Sequence, residues 1–136
     1  MELTIKDRVL LLNEVMPQFD KMSGIITKKA ITEKIKLSEA ESGSIVVNRL
    51  PTGVAEIGFK TVEASLSGRS FDFSDEELFY IKNRIHMIDA NGMISEDNIG
   101  TYQKILDAEF ESEVYRNMWE EVVPSPIVQD GVSDAV

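Results

Sequence analysis

Cysteine is absent from the chain, which excludes disulfides, thiol nucleophiles and every cysteine-ligated zinc or iron–sulfur site. That absence fits a reducing compartment. One histidine, His86, leaves no second imidazole for a zinc site or a paired relay. Apolar runs are short: none exceeds four residues, the length of Val9 to Leu12, against the roughly 18 that a membrane span needs. The opening Met1-Glu2-Leu3-Thr4 has no basic stretch leading into an apolar one, so no secretory signal is expected. Gly53, Gly58 and Gly68 stand too far apart to form a P-loop or a dinucleotide fingerprint.

What is present suffices for one packed domain. The 136 residues are 43% hydrophobic, and a chain of this size buries about two-thirds of its unfolded surface. Charge is unevenly spread. Residues 1–60 carry nine Lys/Arg and eight Asp/Glu, net +1; residues 61–136 carry five and sixteen, net −11, together the −10 of the whole chain. Such a field repels phosphate backbones and anionic lipid, and favours basic partners or plain solubility.

Helix signals dominate the first third. Thr4 and Asp7 form a capping-box pattern, followed by Ile5, Val9, Leu12 and Met16 at helical spacing, and Pro17 ends the helix. A second helix is expected from about Ser23 to Lys36, with Met22, Ile26, Ala30, Ile31 and Ile35 turned inward and its lysines outside. Ser38 and Glu41 open a short third helix that Ser42-Gly43-Ser44 breaks. A hairpin follows, its strands in Ser44–Leu50 and Val54–Val62 around Leu50-Pro51-Thr52-Gly53, with Ile57, Phe59 and Thr61 on an inward face. Residues 65–70 read as loop, and Arg69–Phe73 as a short third strand.

The second half reads as helix throughout. Ser74 and Glu77 cap a fourth helix whose Leu78, Ile81, Ile85 and Ile88 keep one stripe, and Asn91 or Gly92 takes the left-handed position that ends it. A fifth starts near Ser95 with Ile99, Tyr102, Ile105 and Leu106 toward the core, and a break is expected between Asp107 and Ser112. The expectation is therefore a mostly helical α+β fold: about five helices packed with a small antiparallel β-hairpin, in an order that also suits a winged helix. Residues 1–106 form its compact domain, 107–123 an acidic aromatic helical extension, and 124–136 a flexible tail with Pro124 and Pro126.

Chemistry-bearing patterns are few. Asp89 to Glu96 superficially matches a calcium loop, but Ile94 occupies the glycine position and Gly100 that of the bidentate glutamate, so a helix stop followed by a new cap explains it better. Asp72, Asp75 and Glu76 suit a helix N-terminus as well as acid–base work. His86 falls off the apolar stripe and reads as solvated. In a winged-helix reader the third helix would enter the major groove, yet here it carries Glu39 and Glu41 where phosphate contacts want Lys or Arg. No catalytic, metal or cofactor residue is assigned. The best docking candidate is the acidic segment 107–121, with Phe110, Val114, Tyr115, Met118 and Trp119 as anchors; the alternative is that these residues pack on the first helix.

Two stretches carry a resemblance. Leu3-Thr4-Ile5-Lys6-Asp7-Arg8-Val9-Leu10-Leu11-Leu12-Asn13 is similar to the opening of small uncharacterised phage and prophage proteins. Phe73-Ser74-Asp75-Glu76-Glu77-Leu78, its isoleucine-rich helix and Ile94-Ser95 to Tyr102 resemble their second half. The resemblance spans about residues 3–106 and implies helices around a hairpin and a phage setting, but no activity and no site residues. The resulting expectation is a non-enzymatic phage-type accessory or virion-associated protein in the host cytoplasm or the virion. It would contact a phage structural or host protein, with a homo-oligomer left open and neither nucleic acid nor membrane as partner. The alternatives are an acidic inhibitor of a host nucleic-acid enzyme and a degenerate winged-helix DNA binder.

Overall fold

The computed structural model describes residues 1–53 and 55–123. The expected tail, 124–136, and Val54 lie outside the described residues. The first segment is a strand, β1 (Glu2–Thr4), which the sequence reading missed. It pairs antiparallel with β4 (Gly68–Ser70), placing Leu3 opposite Arg69. The ladder extends through Met1 and Phe71, whose backbone groups bond each other at 2.7 and 2.9 Å. Thr4 then closes the expected capping box with Asp7 and starts α1 (Ile5–Leu10).

Beyond Leu10 the helix widens into a π-helical segment, Leu11–Val15, closed by Met16 N–H donating to the Leu11 carbonyl at 3.0 Å. The wider turn adds a residue to the helix and shifts its stripe. Leu10, Leu11 and Val15 are therefore fully buried, whereas Leu12 is only half-buried.

In α2 (Met22–Ile35) the expected inward set is half wrong. Gly24, Ile31 and Ile35 face the core, while Met22, Ile26 and Ala30 are exposed. The two sets share helical spacing and differ only in phase, so periodicity alone cannot choose between them. Gly24 helps decide it: a Cβ there would stand 2.3 Å from an Asp20 carboxylate oxygen. That carboxylate accepts a 2.6 Å hydrogen bond from the Tyr80 hydroxyl.

α3 (Glu39–Gly43) carries the Ser38–Glu41 capping box. β2 (Ile45–Arg49) and β3 (Ala55–Phe59) form the expected hairpin, with Val47 opposite Ile57 and with Gly53 N–H donating to the Leu50 carbonyl at φ +88°. Of the residues expected on its inward face, the Ile57 side chain lies outside the described residues. Phe59 is half-buried, Thr61 and all of β2 beyond Ile45 are exposed, and no described hairpin side chain joins the core. The loop expected after residue 65 is partly helical, α4 (Val62–Leu66), and the third strand is β4 rather than Arg69–Phe73.

α5 (Asp75–Ala90) is the central element. Ser74 and Glu77 box its start, Leu78, Ile81 and Ile85 are buried, and Gly92 at φ +69° takes the left-handed position after it. α6 (Ile99–Asp107) buries Tyr102 and Ile105, but Ile99, expected inside, is exposed. Ser95 and Asn98 cap each other before it, at 2.7 and 3.2 Å. The chain breaks after Asp107, as expected, and resumes as α7 (Glu113–Val122). The architecture is a mostly helical α+β fold with seven α-helices and two small ladders among the described residues. No described helix is long and apolar enough to cross a membrane.

Buried charge is tied into this frame. Arg8 donates to the carbonyls of Ile35 (3.0 Å) and Lys36 (2.7 Å) at the end of α2, and to both Glu41 oxygens at 2.5 and 3.1 Å. Asp7 accepts from Thr101 and Lys104, linking α1 to α6. Burial alone would raise the Asp7 carboxyl, but Lys104, Thr101 and the Thr4 backbone together hold it below its ordinary value.

Candidate functional site

The segment singled out for docking is fixed by its connection to α5. Both oxygens of Asp75 accept backbone N–H groups, from Glu111 and Ser112, each at 2.8 Å. Those bonds, that of Glu111 first, hold the Asp75 carboxyl below its ordinary value. Ser112 then caps α7 by accepting from Tyr115 N–H, and Arg116 donates to the Phe110 carbonyl at 2.7 Å. The end of α6 is met by Lys82, whose ammonium donates to the Leu106 carbonyl at 2.9 Å and to the Ala108 carbonyl. A cation suits a helix C-terminus. It also lies 4.8 Å from the Phe110 ring centre and 5.7 Å from that of Trp119. Burial pushes the Lys82 ammonium below its ordinary pKa.

The aromatic anchors are used inside the chain. Phe79 is their hub, with ring centres 6.1 Å from Phe110, 5.9 Å from Tyr115 and 6.0 Å from Trp119. These are tilted or edge-on pairs, a favourable geometry for aromatic rings. His86, expected to be solvated, is half-buried, with Trp119 6.2 Å away and edge-on. The alternative placed these residues on the first helix; the helix that receives them is α5, through Phe79, Lys82 and His86. Their spacing of three and four, one residue off the Leu78 stripe, was the signal for a second contact face. Asp75→Asn keeps the shape but leaves one of the two N–H groups facing an amide nitrogen that cannot accept, and removes the charge from the other bond. It should loosen α7, read as faster amide exchange in residues 113–122 with α5 unchanged; equal exchange would remove the clamp.

The five predicted anchors therefore divide. Phe110 is buried, Tyr115 and Trp119 are half-buried, and Val114 and Met118 stay outside at 66% and 40% exposure. Val114, Met118 and Glu121 form a stripe on the outer face of α7, at spacings of four and three, beside Glu113 and Glu120. A second stripe, unforeseen in the sequence, lies on α2: Met22 and Ile26 are 81% and 62% exposed, and the neighbouring Phe19 is 83% exposed. It continues at the same spacing into Lys29, with Lys28 beside it. Next to it an open groove of about 550 Å³ runs between α2 and α5, lined among others by Asp20, Thr27, Phe79, Tyr80 and Met87.

The polar candidates do not converge. Asp75 and His86 stand at opposite ends of α5, Asp75 is spent on the backbone, and Asp72 and Glu76 are exposed. Asp89 to Glu96 is the end of α5 and the Ser95 cap. Among the described residues no group of three or more His, Asp or Glu is placed to hold a metal ion. α3 spans five residues, has no Lys or Arg, and turns Glu41 to Arg8. Comparison of the chain with protein-family models, curated proteins and solved structures finds no match.

Proposed function

We propose that this chain is a non-enzymatic, phage-type accessory or virion-associated protein that works through protein contacts. One observation carries the reading. Two helices, α2 and α7, each turn large apolar side chains outward in a helical stripe, while the charged groups Asp7, Arg8 and Lys82, buried elsewhere in the fold, are taken up by partners within it. Contiguous apolar surface rimmed by charge is what a docking site offers. The phage setting is supported by the likeness of residues 3–13 and 73–102 to phage proteins.

A specific feature favours a second reading, an acidic inhibitor of a host nucleic-acid enzyme. Glu109, Glu111, Glu113, Glu120 and Glu121 are all exposed along α7 and the linker before it. Charge mimicry of this kind weakens steeply with salt, because screening limits its reach to about 10 Å at 0.1 M.

The test is capture from host lysate by the tagged full chain, with untagged chain added. Two surface variants run beside it, Met22→Asp/Ile26→Asp and Val114→Asp/Met118→Asp. A protein held through rising salt by the wild type and lost with either variant is the expected result. Identical capture by all three sinks the docking reading, and capture that only salt removes moves the assignment to the acidic mimic.

A further inference from the structure

The outward stripes of α2 and α7 match each other in spacing and oppose each other in charge. On α2, Met22, Ile26 and Lys29 stand at i, i+4 and i+7, with Lys28 adjoining. On α7, Val114, Met118 and Glu121 stand at the same spacing, with Glu120 adjoining. Laid side by side in the same direction, the helices bring Met22 to Val114, Ile26 to Met118, and Lys29 to Glu121. Residues at these spacings share one helix face, so the match is geometric as well as chemical.

Both stripes are exposed, so neither covers the other within one chain. The ion pairs found among the described residues use none of these four charges. Glu120 and Glu121 also occupy the last turn of α7, which holds no basic residue. Carboxylates there oppose the helix dipole, and lysines from outside would relieve them.

We propose that the outward face of α2 in one copy docks on the outward face of α7 in a second copy. The inference rests on the protein-contact reading and names the partner of its two faces. Two different patches meet, so the contact is heterologous. Each docked pair leaves one α2 and one α7 face free, and the chain builds a ring or an open string of subunits.

Sedimentation velocity of the full chain over a wide concentration range tests this, with two charge reversals, Lys29→Glu and Glu121→Lys. Both sites are exposed, and circular dichroism checks that each variant is folded. The wild type should associate with rising concentration, and each reversal should weaken association about fivefold, as expected when one exposed ion pair becomes repulsive. An equimolar mixture of the two reversals should restore it, since each then meets an opposite charge. Association unchanged in both reversals, or not restored by mixing, overturns the inference. So does association lost on ending the chain at Val123, which would give the contact to residues 124–136. A monomeric wild type whose lysate capture still depends on these faces overturns the second-copy inference alone and leaves the protein-contact reading standing.

Discussion

Arg8→Met is expected to destabilise the protein by about 3–5 kcal/mol, the cost of removing one partner of a buried charged pair. Against the roughly 5–15 kcal/mol that holds a domain folded, this is a large fraction of the total. The guanidinium has four acceptors: the Ile35 and Lys36 carbonyls and the two Glu41 oxygens. It also lies 5.1 Å from the Phe71 ring centre, beside the β1–β4 ladder. Methionine fills the space but removes the donor to the Ile35 and Lys36 carbonyls and to Glu41, whose Oε1 keeps only the Ser38 N–H, in a site where Arg8 is almost fully buried. Urea unfolding followed by circular dichroism measures the change. A loss below about 1 kcal/mol, the range of exposed ion pairs, would mean the network carries no weight.

The same pair sets part of the acid response. Arg8 hydrogen bonds first, then the Ser38 cap against some desolvation, lower the Glu41 carboxyl from its ordinary 4.5 to about 2. A carboxylate whose folded value is depressed adds stability that is fully present above its unfolded value and disappears as pH falls through the folded one. The contribution from Glu41 should therefore fade between about pH 4.5 and 2. In Arg8→Met that part of the acid limb should flatten. Asp7 and Glu77 are also depressed, so a remainder persists in the variant.

Phe79→Ala is expected to cost about 2–3 kcal/mol, less than the 3–5 typical of a fully buried phenylalanine because Phe79 is half-buried. The effect should fall mainly on one element. Phe79 holds Phe110, Tyr115 and Trp119 together, and these rings are the main apolar attachment of α7 to the body. Trp119, the one tryptophan of the chain, reports on the site directly. Its emission should shift to the red as water reaches the ring, while the unfolding of α5 and α1 follows at higher denaturant. An unshifted emission spectrum in the folded variant would show that α7 is held by the Asp75 and Lys82 contacts instead.

These expectations bear on function through a division of labour in one helix. The inward side of α7 packs Tyr115 and Trp119 against α5, with Phe110 of the preceding linker, so these rings are engaged within the chain. What remains for a partner is smaller, Val114 and Met118 within a field of carboxylates. The stronger apolar surface stands on α2, with Phe19, Met22 and Ile26.

What the sequence determined by itself was local. The Thr4–Asp7, Ser38–Glu41 and Ser74–Glu77 boxes, the Leu78-Ile81-Ile85 stripe, the Gly92 helix end and the break after Asp107 all rest on residues within a turn or two of each other. Side-chain spacing and backbone capping fix such features before any packing occurs. Tertiary structure decided the rest. The three residues each of β1 and β4, with no alternation to mark them, became strands only by finding each other across more than sixty positions. α2 carries apolar residues on two faces, and only the fit of Gly24 under Asp20, with the Arg8 cap at its far end, set which face turned inward. Phe79 and Lys82 likewise read as neighbours of a buried stripe until α7 folded back onto them. Phase and long-range pairing depend on what a surface meets, and a linear pattern does not contain its partner.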